Sequence, residues 1–248
     1  MPDSKSLLPI LQTLWTRSGL SRWAGTSMSL SWTTVHGLMF NGLGDAERRC
    51  GASITGINDE GEIRGSLFGE IIAVTPARDG YAITLRYKNQ RCYATAELVA
   101  HAQTAYAHAW RAIGEPYSSV VALLIVDRSP KGHLRVLDLA AILCSATFLP
   151  CESMHDVAMA NRLVAEQRFF EKPIRMHPVD DAFPDFVLLD TRPETHIEAY
   201  GGNDPVFDTR RRKNRQRLRA GRDVTAIEWN IDSQSPDDVA LPPPGRNA

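Results

Sequence analysis

Two carboxylates stand inside apolar runs in the C-terminal part of the chain: Asp185 in FPDFVLLD and Glu198 in THIEAYG. Burying a carboxylate is costly unless something pairs with it. Side chains alternate along an extended strand. His196, Glu198 and Tyr200 therefore share one face, and Asp185 shares a face with Val187 and Leu189. If the two runs pair as strands, the acids approach to about 5 Å, the strand spacing. Carboxylates that close repel unless one is protonated or a divalent cation lies between them. Magnesium, or manganese in its place, fits such a pair, because it binds one or two carboxylates together with water and phosphate oxygens.

The charge pattern around these acids is segregated. From Asp180 to Asp208 there are eight acids and one base, Arg192; from Arg210 to Arg222 there are eight bases and no acid. Asp204–Pro205 reads as the N-cap and first turn of a helix that Gly221 closes. That helix would carry Arg210, Arg211, Arg212, Lys213, Arg215, Arg217 and Arg219 beside the acidic strands. A cationic surface next to an acidic pocket suits a polyphosphate: the bases hold the backbone and a metal polarises the scissile phosphate. DNA is the expected partner, with Arg210, Arg211, Arg212, Arg215 and Arg217 as phosphate contacts.

The elements that must position these residues follow from periodicity and turn chemistry. Ser153 is an N-cap, with Asp156 three residues on as the reciprocal acid, and Val157, Ala160 and Val164 form an apolar stripe. FFEKPIRM reads as a strand whose Pro173 places it at an edge. FPDFVLLD, THIEAYG and VTAIEWNI read as strands, so the C-terminal hundred residues run helix, three strands, helix, strand. Upstream, Ser6 to Trp23 has helical spacing, while Gly25 to Gly44 is Gly-, Ser- and Thr-rich and has no clear assignment. Ala52 to Thr95 breaks into short β segments with turns at Asn58–Gly61 and Asp79–Gly80. TAELVAHAQTAYAHAWRAIG is an amphipathic helix closed by Gly114. SSVVALLIVD is an apolar strand, and LRVLDLAAILC fits either a strand or a short helix. SQSPDDVALPPPGRNA reads as a Pro-rich disordered tail. The expected organisation is an N-terminal α+β region over 1–118, a core over 119–231 and a tail over 232–248, an α+β protein overall.

Pro184–Asp185 followed thirteen residues later by Glu198, in an αβββαβ run, resembles the PD-(D/E)XK nuclease superfamily with its restriction-endonuclease-like fold. The stretches SMHDVAMANRLV, RFFEKPIR, FPDFVLLD, IEAYG and AIEW are more specifically similar to a bacterial family designated domain of unknown function 1173, chiefly over Val120 to Asn230. Members of that family occur on plasmids and integrated mobile elements. They also carry a Cys- and His-containing segment upstream, so the resemblance implies a shortened member. It further implies that Asp185 and Glu198 ligate a divalent metal and that an acid on the first core helix, here Asp156, joins them. The superfamily places a lysine two residues after the glutamate to orient water. Tyr200 stands there instead, and Lys213 on the next helix is the lysine the resemblance offers as catalytic replacement.

Other readings are weaker. A decayed site that still grips nucleic acid or a protein is the main alternative, because of Tyr200. Paired carboxylates acting as general acid and base on a sugar are disfavoured, since a neutral sugar does not require eight nearby bases. His196–Ile197–Glu198 is an HxE, but Pro150–Cys151 precedes it and a second cysteine is absent, the reverse of the zinc deaminase order. His101 and His108, seven apart, read as partly buried helix residues without a metal. The four cysteines form no CxxC pair. With 43% hydrophobic and 23% charged residues and a net charge of −1, the composition is that of an ordinary globular chain. No signal peptide or membrane-spanning run is read at the sequence level, and a cytoplasmic location is expected.

Overall fold

The structure is a computed structural model that describes residues 7–25, 30–50, 56–57, 63–86, 91–174, 184–201 and 224–245. It is a mixed α+β fold built on two sheets. Helix α1 (Leu7–Arg17) buries Leu7, Ile10, Leu11 and Leu14, the 3- and 4-residue spacing of one helical face. The expected helix to Trp23 is shorter, because residues 18–21 turn away and strand β1 (Arg22–Ala24) follows. Helix α2 (Trp32–Cys50) occupies most of the Gly-, Ser- and Thr-rich stretch that pattern leaves unassigned; Trp32, Val35, Met39 and Leu43 lie on its buried face.

Six further strands make up most of the larger sheet: β2 (Gly56–Ile57), β3 (Ile63–Ala77), β4 (Gly80–Leu85), β5 (Cys92–Ala94), β6 (Ser118–Arg128) and β7 (Leu134–Ser145), with β8 (Pro150–Cys151) paired to β7. The Asp79–Gly80 hairpin forms as expected, with Ala77 opposite Gly80. Gly80 has φ +142°, and a Cβ there would lie 2.3 Å from the Ala94 carbonyl oxygen, so the turn requires glycine. The Asn58–Gly61 turn lies outside the described residues. LRVLDLAAILC is resolved as a strand by its antiparallel pairing along the length of β6.

Strand β3 bends at an irregularity between Ile71 and Ala73. Its first half pairs with β6 and its second with β4, so the pairing runs β3–β4–β5–β7–β6 and returns to β3. The β5–β7 contact is parallel and the others antiparallel. Between β5 and β6 lie α3 (Ala96–Ala105) and α4 (Ala107–Arg111), two helices where one was expected; the chain breaks at Tyr106, φ −121° and ψ 41°. Gly114, φ +84°, closes the segment as anticipated.

Strand β6 is buried on both faces. Val121, Leu123 and Ile125 join α1 and α2, while Val120, Ala122, Leu124 and Val126 join the second core. That is why its sequence is continuously apolar rather than alternating.

The second core reaches the smaller sheet. Helix α5 (Met154–Ala165) buries Val157, Met159, Ala160 and Leu163. After it come β9 (Phe169–Glu171), β10 (Phe186–Leu188), β11 (Glu194–Tyr200) and β12 (Val224–Asn230), in sheet order β1–β9–β10–β11–β12. The first three contacts are antiparallel and β11–β12 is parallel. Phe170, Phe186, Leu188, Ile197 and Trp229 meet α5 in the core.

Three expectations are corrected. Strand β9 is not an edge: β1 and β10 flank it, and Pro173 lies beyond its last residue, where no ladder amide is needed. A domain boundary at 118 does not hold, because β6 and β7 pair with β3 and β5, and β1 belongs to the C-terminal sheet. Residues 232–245 are docked rather than disordered. A 3-10 turn at Pro236–Asp238 is capped by Ser235, Val239 is 4% exposed, and the Arg162 guanidinium donates to the Pro236 and Val239 carbonyls. The proline-rich composition hides this, since the anchors are main-chain carbonyls.

Candidate acidic site on the open sheet

Asp185 precedes β10, and Glu198 lies within β11. Both are buried, at 5% and 9% exposure. The Asp185 amide donates to the Ile197 carbonyl at 3.0 Å, and its carboxylate accepts from the Ala199 amide at 2.7 Å. Asp185 therefore grips the two residues on either side of Glu198. The carboxylate fills the place of a ladder carbonyl, where the regular pairing of β10 ends, which fixes its position by a charge-assisted bond.

Strand β12 adds an acid that pattern reading did not single out. Glu198 is in register with Glu228 on the parallel strand. Like charges directly opposite one another are mutually unfavourable, so this position favours a nearby positive charge. The signal was present in VTAIEWNI, as an acid within an apolar strand. Tyr200, two residues after Glu198, is half-buried at the end of β11.

Asp156 has a different set of contacts. Ser153 caps α5 by accepting from the Asp156 amide at 3.2 Å, as expected. The Asp156 carboxylate accepts from the Glu152 amide at 2.9 Å rather than from the cap residue, and lies 3.2 Å from Lys172 Nζ. Lys172 is 1% exposed, and its ammonium sits 5.1 Å from the centroid of the Phe186 ring. This lysine, between the first turn of α5 and the residue after Asp185, was not anticipated; its signal was a lysine in the apolar run FFEKPI. Burial, then the neighbouring Asp156 charge, push the Cys151 thiol well above its ordinary range, so it stays protonated. Lys172 and Cys151 border a cavity of about 470 Å³ otherwise lined mainly by aliphatic side chains.

Asp190, just beyond β10, is held by Arg168. The two groups make a bidentate pair at 2.7 and 2.8 Å, both almost fully buried, and the Phe169 amide adds a third bond at 3.1 Å. Burial raises the Asp190 carboxyl, but these bonds outweigh it and hold the group below the usual carboxylate range.

Among the described residues, no three His, Cys, Asp or Glu side chains form a group able to hold a metal ion. Asp156, Asp185 and Glu198 thus do not converge as a three-acid set. The contacts of Asp156 explain this, since its carboxylate is engaged with α5 and Lys172. Lys213, Arg210, Arg211, Arg212, Arg215 and Arg217, and the helix expected to carry them, lie outside the described residues. His196 Nε2 is 2.8 Å from the Glu194 carboxylate, two residues earlier on its own strand. His101 and His108 are exposed rather than partly buried. Among the described residues, no helix is long and apolar enough to cross a membrane.

No family model matches this chain, and no curated protein or solved structure matches it either.

Proposed function

We propose that the open sheet carries a site for divalent-metal-dependent hydrolysis of phosphodiester bonds in DNA. The observation that carries this reading is the juxtaposition of Asp185 and Glu198 at the β10–β11 junction, both buried, in a helix–strand–strand–strand order with a final parallel strand. Two hard oxygen donors suit magnesium or manganese, whose other positions would be taken by water and phosphate oxygens. The ion would lower the pKa of a bound water and stabilise charge on the phosphoryl oxygens.

The chain's own groups then have separate tasks. Asp185 and Glu198 hold the cation, with Asp185 fixed by the Ala199 amide. Asp156 acts as a positioning residue, joining α5 through Lys172 to the ring beside Asp185. Lys213 orients the attacking water, and the arginines from Arg210 to Arg217 hold the DNA backbone.

A second reading, nucleic-acid or protein binding without cleavage, is favoured by one observation: Tyr200 stands where the nuclease pattern places a lysine. Supercoiled plasmid incubated with the full chain and magnesium or manganese separates the two. The nuclease reading expects nicked or linear product that disappears with EDTA and in Asp185→Asn and Glu198→Gln. Retarded but intact plasmid, under the same conditions, would replace it with the binding reading.

A further inference from the structure

The closed circuit of strands carries a second surface, far from the acids in the chain and independent of the nuclease reading. A cleft of about 540 Å³ opens between the β3–β4 turn and the loop joining β6 to β7. Its floor includes Tyr93, which points outward from β5 while Cys92 and Ala94 point in, and Tyr81 on β4. The Tyr93 ring meets the His133 ring edge to face, with centroids 5.6 Å apart. Arg78 stands on one lip and Lys131 on the other, both exposed. Arg135 lies beside Tyr93 in the β5–β7 register, its guanidinium fixed by two bonds to the Asp127 carboxylate, at 2.8 and 2.5 Å.

The lips are built. The Ser129 amide donates to the His133 carbonyl at 2.9 Å and the Gly132 amide to the Ser129 carbonyl at 2.8 Å. The Ser129 hydroxyl also accepts from the His133 amide at 3.1 Å, and Arg128 donates to the Gly132 carbonyl at 3.2 Å. Asp79 is the acid on the opposite turn, and the cations outnumber it.

We propose that this cleft binds single-stranded nucleic acid. An exposed aromatic face flanked by cations matches what an unpaired strand presents: a base to stack and phosphates on either side. A duplex keeps its bases stacked on one another and cannot offer a face to Tyr93. The strand order supports the assignment. A five-stranded Greek-key barrel uses its second and third strands, with the loops joining strands one to two and four to five, to take oligonucleotides or oligosaccharides. Here those parts are β4, β5 and the two lips of the cleft. The cations favour a phosphodiester over a neutral sugar chain.

The test uses the full chain in EDTA, which suppresses cleavage, with fluorescein-labelled oligo(dT) and oligo(U) followed by anisotropy. A stacked base is worth roughly 1–3 kcal/mol, so Tyr93→Ala should weaken binding about tenfold or more, while Tyr93→Phe should retain it. Lys131→Ala should weaken it and make the salt dependence shallower by about 0.7 in log–log slope. A preference between the two oligonucleotides identifies DNA or RNA as the better ligand; tight binding of either that Tyr93→Ala weakens supports the site. Unchanged affinity in both Tyr93→Ala and Lys131→Ala would overturn the proposal. So would absence of binding at low salt, or displacement by a neutral oligosaccharide at lower concentration than by oligonucleotide. Because Tyr93 and Lys131 have no part in the nuclease reading, the two variants test this cleft alone, and failure of this site and failure of the nuclease reading are distinguishable.

Discussion

The closed circuit and the β10–β11–β12 part of the open sheet hold their buried acids through different contacts. In the closed circuit, Glu70 and Asp127 are each clasped by an arginine in two bonds, from Arg86 and Arg135, and Glu70 also accepts from Ser119. In the open sheet, Asp185 is fixed by a backbone amide, and Glu198 has another acid, Glu228, in register beside it. Pairing each acid with a dedicated arginine neutralises it where it stands. Acids in register on neighbouring strands bring like charges together, and such a position favours a cation beside it. The first arrangement suits a stable wall; the second is compatible with the cation site proposed for Asp185 and Glu198.

The open sheet contains its own control. Asp190 and Arg168 form a fully buried bidentate pair a few residues from Asp185. Arg168→Ala leaves a buried carboxylate uncompensated, and should lower stability by about 3–5 kcal/mol in urea unfolding. The pH dependence follows with a definite sign. A carboxyl held low in the folded state stabilises the protein fully above its unfolded value, near pH 4, and loses that contribution as pH falls towards the folded value. Wild type should therefore lose stability below about pH 4 more steeply than Arg168→Ala.

Next in size is the C-terminal segment. Deleting residues 232–248 removes buried Val239 and both carbonyl acceptors of Arg162. A buried valine is worth roughly 1.5–3 kcal/mol, so the unfolding midpoint should fall measurably; an unchanged midpoint would show that the segment is not docked in solution. Asp185→Asn is expected to be milder, about 1–2 kcal/mol, because a neutral amide oxygen still accepts from Ala199. The comparison thus predicts that Asp185 tolerates neutralisation better than Asp190 tolerates the loss of its arginine. The smallest change should come from Arg86→Lys on the closed circuit, near 1 kcal/mol, since the Arg86 side chain is 45% exposed and solvent screens the pair.

Much of the element content was legible because burial leaves a signature. The continuous apolar run of β6 reports two covered faces, and Ser153 reports a helix start whatever it packs against. Pairing across long sequence separation left no such mark. Nothing in Arg22–Ala24 announces that it will meet Phe169–Glu171, although Arg22 ends 2.7 Å from Glu171. The same holds for β6 and β7, whose pairing with β3 and β5 moved the expected domain boundary. At the site, Asp185 and Glu198 stood out as acids in apolar strands. Lys172 and Glu228 carry the same signal, a charge in an apolar run, but the partner that gives Lys172 its meaning sits sixteen residues away on a helix. The cleft beside Tyr93 was invisible in sequence, because its two lips are separated by about fifty residues and meet only when the circuit closes.

The central claim is that Asp185 and Glu198 together hold a divalent cation. Calorimetric titration of manganese into the full chain, repeated with Asp185→Asn and Glu198→Gln, tests it most directly. The account predicts one site in the wild type and a loss of affinity of at least about tenfold in each variant, with the fold retained. Equal manganese binding by all three proteins, or none by the wild type, would contradict it.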